Sequence, residues 1–167
     1  MRIPFFAAIV AILLFTSGCT TLSIGNTAFG DTTQGLQSVA NIEYYSSDQA
    51  LTEGTNQFNA GNYGKSATLF KRAVELNPSD AQALLGLAAS YDRIRRFDLA
   101  DRTYAKLYSM IGGTIEYYNN VGYSYLLRGD LISARQNFLK AYEIDPNNVV
   151  VNNNLKLLGS SVKYAQR

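Results

Sequence analysis

The sequence predicts an all-α fold: a solenoid of three 34-residue helix-turn-helix repeats, closed by a C-terminal capping helix. Three observations carry this. "LNPSD" at 76–80, "MIGGT" at 110–114 and "IDPNN" at 144–148 follow one another at intervals of 34 residues, and a fixed period of that length marks a stacked helical-repeat architecture. Between these markers, glycine, tyrosine, phenylalanine and alanine recur at matching positions. After the last marker, Val151, Leu155, Leu158 and Val162 return at spacings of 4, 3 and 4, one stripe of a helix. With 167 residues, 47% of them hydrophobic, the chain suffices for one ordinary domain with a core.

The elements follow in chain order. Arg2 precedes an unbroken apolar run from Phe5 to Phe15, and the small residues Ser17 and Gly18 lead to Cys19. This is the layout of a secretory leader. The stretch from Ile3 to Phe15, 13 residues, is too short to span a bilayer comfortably. "TSGC" resembles a bacterial lipobox, with Thr16 where an aliphatic residue is usual. The resemblance implies a signal peptide over 1–18, cleavage after Gly18 and a covalent lipid on Cys19. One acyl chain holds weakly and two hold firmly, and bacterial lipoproteins carry two or three. By the same resemblance, Thr20 after the cysteine directs the protein to the periplasmic face of the outer membrane. Residues 19–45, rich in Gly, Ser, Thr, Asn and Gln, read as a tether of roughly 30 Å root-mean-square length. Its more apolar end, "VANIEYY" from Val39, is a candidate to dock on the domain.

The repeats occupy 46–148, as units 47–80, 81–114 and 115–148, with the capping helix and tail over 149–167. The first unit carries Gly54, Gly61, Tyr63, Phe70, Ala73 and Pro78, and the second Leu84, Leu87, Tyr91, Phe97, Ala100 and Tyr104. The third carries Tyr118, Gly122, Tyr125, Gly129, Ala134, Phe138, Ala141 and Pro146. Gly54 and Gly122 allow the two helices of a unit to cross closely. Tyr91 and Tyr125 fill the gap to the next unit, while Ala100 and Ala134 keep the second helix near. Pro78 and Pro146 end helices. Ser46 with Gln49, and Ser79 with Gln82, read as capping boxes, and Thr114 and Asp130 as N-caps. The second unit departs from the pattern, with Arg95 at the turn glycine and Gly112 at the closing proline.

This register resembles the tetratricopeptide (TPR) family. The resemblance implies a right-handed superhelix whose concave groove is lined by the first helix of each unit. The groove would present Asp48, Leu51, Thr55, Phe58 and Asn59; Gln82, Leu85, Ala89, Asp92 and Arg93; and Glu116, Asn119, Asn120, Tyr123, Leu126 and Leu127. Leu51, Leu85 and Asn119 stand at a position where the chaperone-binding subgroup uses basic residues, so a carboxylate clamp is not expected. Asn119 and Asn120 recur as Asn153 and Asn154. An amide donates and accepts, so these four could read a peptide backbone, with Phe58, Leu85 and Tyr123 as apolar anchors.

Composition bounds the chemistry. Fifteen basic and 13 acidic side chains leave a net charge of +2, which argues against nucleic acid as partner. There is no histidine and one cysteine, which removes the commonest general base and metal ligand. No phosphate loop is present. The chain therefore reads as a non-catalytic protein-interaction scaffold. It is expected to take no small-molecule substrate, no metal and no cofactor beyond the lipid. Asp92, Asp98 and Asp101, beside Arg93, Arg95, Arg96 and Arg102, read as a solvated charged face. A lipid-anchored three-repeat array ending "DPNNVVVNNNLKLLG" resembles the TadD-type lipoproteins of the tight-adherence (Flp) pilus system. That resemblance implies help in assembling or positioning the pilus secretion machinery, its secretin included. The alternative is an accessory lipoprotein holding cell-wall enzymes or assisting outer-membrane protein assembly.

Overall fold

The computed structural model describes residues 36–165. The expected leader, its cleavage point at Gly18, the lipidated Cys19 and the tether to residue 35 lie outside the described residues. So does the side chain of Val162.

A 3-10 turn, Ile42–Tyr44, leads into seven helices: α1 Ser47–Asn59, α2 Tyr63–Leu76, α3 Ala81–Arg93, α4 Phe97–Ile111, α5 Ile115–Leu127, α6 Leu131–Ile144 and α7 Val149–Ala165. Each unit is one antiparallel pair, and α7 closes the array.

Local chemistry sets the helix starts. The Ser46 hydroxyl accepts from the Gln49 amide at 3.3 Å while the Gln49 side chain accepts from the Ser46 amide at 3.0 Å, satisfying two otherwise orphaned donors. Thr114 and Asp130 cap α5 and α6. At α3 the cap is Asp80, not Ser79: its carboxylate accepts from the amides of Gln82 and Ala83 at 2.9 and 3.0 Å. The helix begins at Ala81, so Ser79 stands one residue too early. The helices of a unit are joined through a left-handed residue at one shared position: Gly61 (φ 79°), Arg95 (φ 60°) and Gly129 (φ 81°). The second unit thus places arginine where the others use the residue best suited to that backbone. Helices α2 and α6 stop two residues before Pro78 and Pro146, because the residue preceding a proline is pushed out of the helical region.

The core is built from helix crossings. Phe70 of α2 lies between Gly54 of α1 and Gly86 of α3, and Phe138 of α6 lies against Gly122 of α5. Leu84, Leu87, Tyr91, Ile94, Ala100, Tyr104 and Leu107 join Phe70 in one buried cluster. Ala134, Phe138 and Leu158 form another, with Tyr123 and Tyr125 packed on it.

The fold begins ahead of Ser46. The Gln37 amide donates to the Gly64 carbonyl at 3.3 Å, the Thr68 hydroxyl donates to the Gln37 carbonyl at 2.9 Å, and Arg72 donates to the Glu43 carbonyl at 2.9 Å. Residues 37–45 therefore run along α2, and Tyr45 packs on the buried Ala50 and Ala73. At the other end, α7 buries Val151 and Leu158. It leaves Val149, Val150 and Leu157 exposed, so its outer face carries apolar side chains beside the polar ones.

Candidate protein-binding groove

Helices α1, α3 and α5 lie side by side, and two adjoining hollows cross them. The first, of about 230 Å³, is lined by Thr55, Phe58, Phe70, Gln82, Leu85, Gly86, Ala89 and Asn120. The second, of about 210 Å³, is lined by Phe58, Ala89, Asp92, Arg93, Tyr104, Asn120 and Tyr123. Phe58, Ala89 and Asn120 form the wall between them. Of the expected groove residues, Thr55, Phe58, Gln82, Leu85, Ala89, Asp92, Arg93, Asn120 and Tyr123 meet here, whereas Asp48, Leu51, Asn59, Glu116, Leu126 and Leu127 line neither hollow.

Asn119, Asn153 and Asn154 do not line either hollow. The Asn154 amide donates to the Asn119 side-chain oxygen at 2.8 Å, so these two hold α7 to α5 instead of standing open as a pair of readers. Asn120 donates to the Glu116 carbonyl at 2.8 Å, which fixes its orientation. Asn153 is exposed on α7.

The floor of the second hollow corrects the reading of a solvated charged face. Asp98 and Asp101 are exposed, but Asp92 is 3% exposed. Its carboxylate accepts from the Ser124 hydroxyl at 2.6 Å and from the Tyr104 hydroxyl at 3.0 Å. Arg128, at the C-terminal end of α5, lies 3.7 Å from Asp92 and donates to both oxygens of Asp101 at 2.8 and 3.0 Å. It also donates to Ser124 at 2.7 Å and lies over the rings of Phe97 and Tyr125. One guanidinium thus ties α3, α4 and α5 together. Burial pushes the Asp92 carboxyl up to about 6, against its hydrogen bonds and the nearby arginine, which act to lower it. The same burial raises the Tyr104 hydroxyl well above its ordinary range. A buried carboxylate in water's absence costs free energy unless paired, and this one has a partner on each side.

Among the described residues Arg93 is the single basic side chain in either lining, and its guanidinium lies 4.2 Å from the centre of the Tyr63 ring. One arginine held on an aromatic face does not make a carboxylate clamp.

Two family profiles, each a tetratricopeptide repeat, match residues 51–109 and 115–148, together more than half of the chain. The chain is a tetratricopeptide-repeat protein. Solved TPR structures share its fold. The first TPR domain of human RPAP3 superposes with a TM-score of 0.62 at 17% identity, over 72% of this chain and 94% of that one. The Yersinia enterocolitica type III secretion chaperone SycD, in complex with a peptide of the translocator YopD, does so at 0.57 and 21%, over 71% and 91%. Pseudomonas aeruginosa pilF aligns at 0.59 and 25%, over 70% of this chain and 54% of that one. The heat shock protein STI1 of Saccharomyces cerevisiae is 28% identical over 102 residues, and the match spans 60% of this chain but only 17% of STI1. TPR arrays are protein-interaction scaffolds, and no enzyme family is indicated.

Sequence reasoning did not place Phe70, Gly86 and Tyr104 in the groove. Gly86 lies against the Phe70 ring, and the Tyr104 hydroxyl donates to Asp92. A signal for Gly86 existed: a glycine inside a helix costs about 1 kcal/mol against alanine, so one retained mid-helix in the TPR array points to a close neighbour.

Proposed function

We propose that this TPR protein captures a segment of a protein partner in the concave groove. Two neighbouring apolar side chains of that segment occupy the paired hollows. The observation that carries the proposal is the shared wall of Phe58, Ala89 and Asn120, which makes two subsites of one groove built by three different units. Each hollow has room for one aliphatic or aromatic side chain, with Leu85 and Phe70 in the first and Tyr104 and Tyr123 in the second. The Asn120 carbonyl oxygen stands between them to accept from the partner's backbone.

The cellular reading follows from the N-terminal signals. The lipid on Cys19 holds the protein at the periplasmic face of the outer membrane. The chain from Cys19 to residue 36 reaches at most about 60 Å when extended. There the groove helps assemble or position a pilus secretion machinery of the tight-adherence type, with a secretin or pilus component as partner. The likeness to pilF and to the TadD plan supports this choice.

The test is photo-cross-linking in intact envelopes from position 120, with Leu85→Ser and Tyr123→Ala as the control. Recovery of a secretin or pilus component, lost in the control, is the expected result. Recovery of cell-wall enzymes or barrel-assembly proteins would move the function to accessory scaffolding, and labelling that survives the control would place the binding site elsewhere. Cys19→Ala should release the folded protein from the membrane, as fractionation would show.

A further inference from the structure

Among the described residues, both ends of the array expose large apolar side chains, where a solenoid end is ordinarily polar. At the N-terminal end a hollow of about 610 Å³, larger than either groove hollow, opens between the 3-10 turn and the outer side of α1. Tyr44 and Tyr45 wall it, and Asp48, Thr52 and Glu53 line it from α1. Tyr44 is 80% exposed. At the C-terminal end α7 presents Val150 at 58% and Leu157 at 47% exposure, on either side of the exposed Asn153.

The repeat register relates these ends. α7 stands one 34-residue period after α5, and therefore takes the place of the first helix of a further unit. Inside the array, the fifth position of one unit meets the sixth position of the next. Leu85 and Asn120 share a hollow in this way, and Asn119 and Asn154 share a hydrogen bond. The unused fifth position at the C-terminal end is Asn153, and the unused sixth position at the N-terminal end is Thr52. The hollow beside Thr52 is thus the seat that a preceding first helix would take. Charge agrees. Among the described residues the hollow is lined by Asp48 and Glu53 with no basic side chain, and α7 carries Lys156 with no acidic residue.

We propose that the N-terminal hollow receives α7 of a second copy of this chain, so that copies join head to tail and continue the superhelix. The interface is heterologous, with different surfaces on the two sides, and does not close on itself in a pair. Val150 and Leu157 pack toward Tyr44 and Tyr45, and Asn153 lies beside Thr52 of the next copy. This surface is separate from the partner groove.

Cysteine cross-linking of the full chain tests it. Thr52→Cys and Asn153→Cys replace exposed residues, and the parent, whose sole cysteine is Cys19, sets the background. Mixing the two variants under mild oxidation should yield a disulfide-linked dimer, while each variant alone stays at background. A chain with both substitutions should give a ladder of multimers. Adding Lys156→Glu should lower the yield several-fold at low salt, because the opposed charges are screened at high salt. Leu85→Ser with Tyr123→Ala should leave the ladder unchanged, which separates this interface from the groove. A mixture no more cross-linked than the parent would overturn the proposal. So would a variant that links to itself as well as to the other, or a double variant that closes only within its own chain.

Discussion

Replacing Gly86 by alanine sets two calculable effects against each other. A methyl group built at residue 86 falls 2.4 Å from the Phe70 ring tip and 2.5 and 2.6 Å from the adjoining ring carbons. Carbon atoms in favourable contact lie about 3.5–4.0 Å apart, so the ring must retreat by about 1 Å. Its room is limited, because it already packs closely on the α1 backbone at Gly54, where even an added Cβ would stand 3.0 Å from the ring. Forcing extra volume into a packed site costs about 1–3 kcal/mol, and the rigid, boxed ring argues for the upper part of that range. Alanine returns about 1 kcal/mol through helix propensity. The expected net loss is about 1–2 kcal/mol, or roughly 3–6 °C in melting temperature for a domain of this size. Circular dichroism melts and urea titrations measure it. Phe70→Leu in the Gly86→Ala background should recover about 1 kcal/mol relative to the sum of the single changes, as coupling in a double-mutant cycle. A Gly86→Ala protein that melts at or above the parent would refute the reasoning, since helix propensity would then have won and the ring could not be confined.

Arg95→Gly should stabilise by about 1 kcal/mol in urea titrations, because the left-handed backbone at φ 60° penalises a side chain; loss of the Arg95–Phe97 contact, 5.4 Å from ring centre to guanidinium, trims the gain. Asp92, raised to about 6 in the folded state by burial, keeps its proton between about pH 4 and 6 while the unfolded chain, near the ordinary carboxylate value, has released it. Its contribution is therefore full at low pH and is lost as pH rises through 6, by on the order of 3 kcal/mol. The parent minus Asp92→Asn stability difference should fall across that window, and a flat difference would remove the buried-acid account. Arg128→Met should destabilise by about 3 kcal/mol, because it leaves Asp92 buried without its cation, and should move the Asp92 carboxyl higher still by carbon-detected NMR titration. Asn154→Ala should cost about 1 kcal/mol and speed amide exchange in α7 before α5, since the Asn119–Asn154 bond joins the two.

The 34-residue repetition made the helix pairs, their order and most of their caps legible without coordinates. Caps, turn glycines and helix-ending prolines act over four residues or fewer, so sequence spacing encodes them directly. The face shared by Phe58, Leu85, Asn120 and Tyr123 was legible for the same reason, because a fixed period carries one helical face from unit to unit. What spacing could not settle were contacts across units, which depend on the angle between successive helix pairs. Asp92 and Ser124 are 32 residues apart, and Asp101 and Arg128 27 apart. On the charge pattern alone Asp92 belonged to a solvated face, and only the approach of α5 to α3 buries it. Asn119 and Asn120 recur one period later as Asn153 and Asn154, yet across the interface the hydrogen bond joins Asn154 to Asn119, one position out of register. A glycine in mid-helix at 86 signals a close neighbour, but only the structure shows that the neighbour is Phe70 of the preceding unit. The sequence by itself determined the repeating unit, because local geometry and period are written along the chain. The tertiary structure decided which side chains meet between units, because that depends on a superhelical angle no single unit encodes.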